Sequence, residues 1–202
     1  MAAVAVVLLL IILQLAVHGY AISPPPGSVS ISDFSAAGDG CPSDTYIGLV
    51  SDDAHALTVM FSDFTAVTDR ALAGRRKRCH LSVQLNYPQG FTFTLVGITV
   101  RGYAKLDEGV KGILQTSYYI SGRPGTGIAV VIKVGPFDGN FEEGIAFISP
   151  VVSVCNQVRK LNLNTEFRVD PGNFTPKRNG IITPDPEDLK PTLIYDVAWE
   201  AC

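Results

Sequence analysis

The stretch Leu161-Asn162-Leu163-Asn164-Thr165-Glu166-Phe167-Arg168-Val169-Asp170 alternates without a break. Leu161, Leu163, Thr165, Phe167 and Val169 fall on one side, and the amide, acidic and basic side chains fall on the other. That period of two places successive side chains on opposite faces of a strand, so the segment predicts a half-buried β-strand. Cys79 to Tyr87 repeats the pattern, with Leu81, Val83, Leu85 and Tyr87 against His80, Ser82, Gln84 and Asn86. Leu193, Tyr195, Val197 and Trp199 repeat it near the C-terminal end.

Further strands read out at Val29–Phe34, Tyr46–Val50, His55–Phe61, Phe91–Ala104, Ile113–Ile120 and Ile128–Val134, giving about nine or ten in all. Clusters of Gly, Pro, Asp and Asn separate them. Tyr87-Pro88-Gln89-Gly90 has the chemistry of a tight reversal, and Asp138-Gly139 marks another turn. Gly97 and Gly102 interrupt a long strand where a bulge or bend fits. One short helical turn is expected over Thr68–Ala73, closed by Gly74. Many antiparallel strands with one wet face each imply an all-β fold, a β-sandwich of Greek-key or jelly-roll type. There is no internal repeat.

Met1 to Val17 is apolar apart from Gln14, carries no charged side chain and is followed by Gly19-Tyr20-Ala21 and Pro24-Pro25-Pro26. This reads as a secretory leader over 1–21, cut after Ala21, with one extracellular domain over 22–202. The apolar run is shorter than the roughly 20 residues a membrane span requires, so no membrane attachment is expected after cleavage. About 180 remaining residues suffice to bury one core. Sixteen basic and nineteen acidic residues give a formal charge of −3, which argues against a nucleic-acid partner.

Cys41, Cys79, Cys155 and Cys202 all lie after the leader, and an even number of cysteines in an exported chain predicts two disulfides. Three connectivities are open. The local one pairs Cys41 with Cys79 and Cys155 with Cys202, the second bridge fastening the C-terminus. No Cys-x-x-Cys pair occurs and only His55 and His80 follow the leader, so neither a structural zinc nor any cofactor is expected.

Gly40-Cys41-Pro42, Phe61 with Phe64, Arg78-Cys79, Tyr87-Pro88-Gln89-Gly90-Phe91, Arg101-Gly102-Tyr103-Ala104-Lys105-Leu106-Asp107, Tyr118-Tyr119-Ile120-Ser121-Gly122, Leu161-Asn162-Leu163-Asn164-Thr165, and Trp199 with Cys202 together resemble the domain-of-unknown-function 4360 family over nearly the whole chain after the leader. The resemblance implies a small secreted β-rich protein with four cysteines, and names no activity. The chain departs from the family pattern at Val152-Ser153-Val154-Cys155, where a Trp-Ser-Pro-Cys-like run is expected, and in the basic stretch before Cys79.

Four segments carry candidate chemistry. Arg75-Arg76-Lys77-Arg78 matches the recognition pattern of dibasic processing proteases of the secretory pathway, with cleavage after Arg78; it also reads as a solvated basic loop, or as a contact for an acidic glycan. His80, Gln84 and Asn86, with Asn162 and Asn164, form a polar plate if their strands are neighbours, and Tyr118, Tyr119 or Tyr103 would add a stacking ring suited to sugars. Any sandwich also needs a wettable outer face, which the same residues supply. Asn173-Phe174-Thr175 is an N-glycosylation sequon, followed by Pro176. The carboxylates Asp52-Asp53, Asp107-Glu108, Glu142-Glu143 and Asp185, Glu187 and Asp188 are neighbours in sequence, whereas glycoside hydrolysis needs two acids about 5–9 Å apart across a cleft. No Gly-x-Ser-x-Gly elbow is present. The reading is therefore a secreted binding or surface-associated protein with a cell-wall polysaccharide as its target. A hydrolase using paired carboxylates is the alternative.

Overall fold

The alternating segment Lys160–Asp170 is the middle strand of a five-stranded sheet in a computed structural model of the chain, which describes residues 23–69, 72–183 and 192–202. The expected leader over 1–21 and the carboxylates Asp185, Glu187 and Asp188 lie outside the described residues. Among the described residues there are twelve strands: β1 (Ser30–Ala37), β2 (Tyr46–Val50), β3 (Ala56–Phe61), β4 (Ala66–Val67), β5 (Arg76–Asn86), β6 (Phe91–Leu106), β7 (Lys111–Ile120), β8 (Gly127–Val134), β9 (Phe137–Ala146), β10 (Lys160–Asp170), β11 (Gly180–Thr183) and β12 (Thr192–Ala201). One sheet runs β1-β5-β10-β7-β8. The other runs β2-β3-β12-β6-β11-β4, with β9 on the remaining flank of β6. Every ladder is antiparallel, so the fold is the two-sheet sandwich expected from the alternation. Helix among the described residues is confined to the turn Leu72–Gly74.

The inward set of β10 does what its period requires. Leu161, Leu163 and Phe167 are fully buried with Leu81 and Val83 of β5 and Tyr118 of β7, and they join Leu57, Val59, Leu95, Val100 and Tyr195 of the facing sheet in the core. Each such side chain contributes about 1.5–3 kcal/mol on transfer from water. Phe64 sits between Phe61 and Phe167, with ring centroids 4.9 and 4.8 Å away. Thr165, the polar member of the inward set, is satisfied there: its hydroxyl lies 3.2 Å from that of Thr116 and 3.3 Å from that of Tyr195. Burial in this cluster pushes the Tyr195 phenol above its ordinary value.

Cys41 is bridged to Cys79 and Cys155 to Cys202. The reversal at Tyr87–Gly90 carries the chain from β5 in one sheet to β6 in the other, with Gly90 at φ +86°, a conformation natural to glycine. The bulge expected near Gly97 is present: Leu95 and Gly97 oppose Val197 and Asp196, leaving Val96 as the extra residue. Gly102 lies where β6 exchanges β12 for β11, and a Cβ there would stand 2.7 Å from the Thr183 carbonyl oxygen. Asp138-Gly139, in contrast, is not a turn. Both residues lie inside β9, whose outward charges pair across to β6 through Lys105–Asp138 and Arg101–Glu142.

Candidate functional site

The outward residues of β5 and β10 meet in register: Ser82 opposes Asn162, His80 opposes Asn164, and Arg78 opposes Glu166. On the far flank of β10, Tyr119, Ser117 and Gln115 of β7 extend the same three rows, and Ala37 of β1 closes the His80 row. Ala37 and Ser117 are short, so the surface dips along that row. The result is an open depression of about 260 Å³ bounded by Arg76, Arg78, His80, Gln115, Ser117, Asn164 and Glu166.

Two fixed groups define its floor. His80 Nδ1 donates to Asn164 Oδ1 at 2.6 Å, which leaves Nε2 of the ring and the Nδ2 hydrogens of Asn164 for other partners. Glu166 accepts from Arg76 Nε at 2.5 Å and from Arg78 Nε at 2.9 Å, with Arg168 Nε 4.0 Å away. Partial burial raises the Glu166 carboxyl pKa, but the hydrogen bonds from Arg78 and Arg76 outweigh it and hold the group below its ordinary value. Three guanidiniums around one carboxylate leave this end of the depression cationic. Tyr119 stands two residues along β7 from Ser117, half-buried and on the outward face.

The other expected site residues divide by position. Gln84 Nε2 donates to Ser32 Oγ one row beyond, and Asn86 is exposed at the strand end. Asn162 is only 6% exposed and spends its amide hydrogens on Ser121 Oγ and the Lys160 carbonyl, so it supports the plate from beneath. Tyr118 is fully buried, its hydroxyl bonded to the Leu95 carbonyl and the Val151 N–H, and offers no stacking ring. Tyr103 is on the other sheet, its hydroxyl donated to Asp138. Of the three tyrosines, Tyr119 alone shares the plate.

The basic run is not a loop. Arg76, Lys77 and Arg78 open β5 and pair with Arg168, Phe167 and Glu166 of β10. The Arg78 carbonyl accepts from Gly40 N at 2.8 Å, and the Arg78 N–H is held by Asp39 Oδ1 at 2.8 Å. Asn173 is exposed in the 171–179 connection, at which Thr175-Pro176 is a cis peptide.

The carboxylates read as hydrolytic candidates are occupied elsewhere. Asp53 accepts from Ser51 and the His55 N–H in a turn, Asp107 accepts from the Asn179 N–H, and Glu108 pairs with Arg178. Glu142 pairs with Arg101, while Glu143 points the other way to Lys133. Among the described residues no group of three or more His, Cys, Asp or Glu side chains is arranged to hold a metal ion.

Residues 27–202 match the sequence model of the family described as domain of unknown function (DUF4360). An uncharacterized secreted protein of Arthroderma benhamiae is 31% identical over 189 residues, covering 92% of this chain and 76% of that protein. Among solved structures, TmCBM61 in complex with β-1,4-galactotriose is similar over 90% of this chain and 98% of its own, at 11% identity and a TM-score of 0.27. A family 11 carbohydrate-binding module from Clostridium thermocellum covers 82% and 94%, at 6% identity and a TM-score of 0.25. Scores this low transfer neither a fold nor a binding site.

Proposed function

We propose that this secreted chain, which belongs to the domain-of-unknown-function 4360 family, binds extracellular polysaccharide across the outer face of its five-stranded sheet, with a cell-wall glycan as the target. The observation that carries this reading is the His80–Asn164–Ser117 row, a line of fixed donors and acceptors at the bottom of an open depression with Tyr119 beside it. Sugar hydroxyls donate and accept at once, so they match a row in which an imidazole, an amide and a hydroxyl alternate. A ring such as Tyr119 covers the apolar face of a pyranose. In this reading residues 1–21 act as the leader that delivers the single domain 22–202 to the outside.

The test is incubation of the mature protein with insoluble wall polysaccharides, measuring both retention and released reducing sugar. Retention without release is expected, and Asn164→Ala and Tyr119→Ala each weaken it about fivefold, the equivalent of about 1 kcal/mol for one lost contact. Release of sugar, or retention that neither substitution changes, overturns the proposal.

A further inference from the structure

Away from the plate, the 171–179 connection closes over the ends of β5 and β10 and encloses a second pocket of about 410 Å³. Arg75, Lys177 and Arg178 line it together with Thr68 and Phe174, and among the described residues no carboxylate lines it. We infer that this pocket binds the carboxylate of an acidic sugar, a uronic acid unit.

Arg75 supplies the first argument. Its Nε is buried and has no hydrogen-bond partner among the described residues, while its own carbonyl is taken by the Val169 N–H. A buried Nε–H without an acceptor is costly, and an oxyanion in the pocket that the half-buried Arg75 lines would satisfy it after a small shift of the side chain. Lys177 supplies the second, since it forms no ion pair among the described residues yet faces the same space. Arg178 is the fixed member: its guanidinium lies 4.0 Å from the Phe174 ring centre, Nη1 donates to the Glu108 carbonyl, and Nη2 is 3.5 Å from Glu108 Oε2. The Glu108 carboxylate is 75% exposed and sits outside the pocket, so the enclosed charge remains positive.

The class of anion follows from the rest of the wall. A guanidinium presents two parallel donors that fit a carboxylate, and a flexible ammonium adds a point charge. Phe174 and Pro171 give an apolar side and Thr175 gives a hydroxyl, while the Thr68 hydroxyl is already spent on the Gly180 N–H and carbonyl. A small inorganic anion would leave the apolar side and the Thr175 hydroxyl unused. A sugar ring bearing one carboxylate uses all three, and the volume falls in the roughly 300–1,000 Å³ range of small-ligand sites. None of these residues belongs to the plate, so the two proposals stand or fall separately.

The experiment is a calorimetric titration of the mature protein with trigalacturonate, with neutral galactotriose and inorganic phosphate as controls. Saturable binding of the acidic trimer is expected, weakened at least tenfold by Lys177→Gln and by Arg75→Gln, reduced by added salt, and unchanged by Asn164→Ala. Lys177 is exposed, so its variant keeps the test valid should Arg75→Gln fail to fold. Absence of binding, binding indifferent to Lys177→Gln, or binding lost with Asn164→Ala overturns the inference. Phosphate bound more tightly than the trimer overturns the assignment to a sugar.

Discussion

Removing the disulfides one at a time should separate what the covalent frame does for stability from what it does for the plate. The bridges span 38 and 47 residues. Loop-closure entropy of that length, about 13 cal/mol/K, corresponds to about 4 kcal/mol at 25 °C for either bridge, and the two differ by only about 0.2 kcal/mol. Native packing then breaks the tie. Cys41 and Cys79 are each 2% exposed, whereas Cys202 is exposed. Deleting two buried sulfurs adds a cavity cost of about 1 kcal/mol. Cys41→Ala/Cys79→Ala is thus expected to lose about 5 kcal/mol and Cys155→Ala/Cys202→Ala about 4, measured by urea unfolding with extrapolation to water. The slope against urea should rise in both, because the uncrosslinked unfolded chain exposes more surface. Polysaccharide retention should fall only in the first variant. Cys79 borders the depression, and its bridge holds the 38–41 loop whose Asp39 and Gly40 fix Arg78. The reasoning is refuted if the Cys155–Cys202 variant is the less stable by 2 kcal/mol or more, or if both variants lose retention equally.

Glu166 gives a pH test. Its folded pKa lies below the ordinary glutamate value of 4.5, so its contribution is fully present above that pH and is lost as pH falls through the folded value. Glu166→Gln should therefore melt below the parent at pH 7, with the gap closing as the pH approaches 3; a gap that stays constant over that range counts against the Arg76–Glu166–Arg78 cluster as its source. The basic run gives a proteolysis test. A processing protease reads an extended, detached substrate, yet Arg76–Arg78 are laddered to β10 and clamped by Asp39 and Gly40. Folded protein should resist cleavage after Arg78 under conditions that cut the unfolded, reduced chain, as read by mass spectrometry; equal rates would mean that this end of β5 does not hold.

That β5 and β10 are half-buried strands was legible because both alternate cleanly; that they lie side by side was not, since alternation fixes the face of a side chain and not the neighbour of a strand. β9 was not legible even as a strand, for a physical reason. Phe137-Asp138-Gly139-Asn140-Phe141-Glu142-Glu143-Gly144 carries four turn-forming residues, and it is held by cross-strand charge pairs and a ladder to β6 that no local pattern announces. β4 and β11, of two and four residues, are too short for any period to show. The tyrosine pair illustrates the limit at a site. Alternation dictates that Tyr118 and Tyr119 face opposite ways, but which one faces the core depends on register with Leu163 and Asn162 across the ladder. The basic run misled for a related reason: four cations in sequence read as solvated, whereas Glu166, ninety residues from Arg76, supplies the counter-charge for Arg76 and Arg78, and Asp39 that for Lys77, so these three sit in a strand.

A wettable surface and a binding surface can be told apart by where their polar groups are spent. On the β6–β9 face, Arg101 meets Glu142, Lys105 meets Asp138, and Tyr103 donates to that same Asp138. Charge is matched one for one, and the groups satisfy each other. On the β5–β10–β7 face, Glu166 alone answers Arg76, Arg78 and Arg168, and no hydrogen bond within the described residues occupies the side chains of Gln115 or Ser117. Asn164 holds His80 by its oxygen and keeps its hydrogens. Solubility needs only the first kind of face. The second keeps donors fixed by the sheet yet unspent, and ordering them costs little further entropy when a ligand arrives. That difference between two faces of one molecule is why the depression, rather than polar composition in general, carries the proposal of a binding surface.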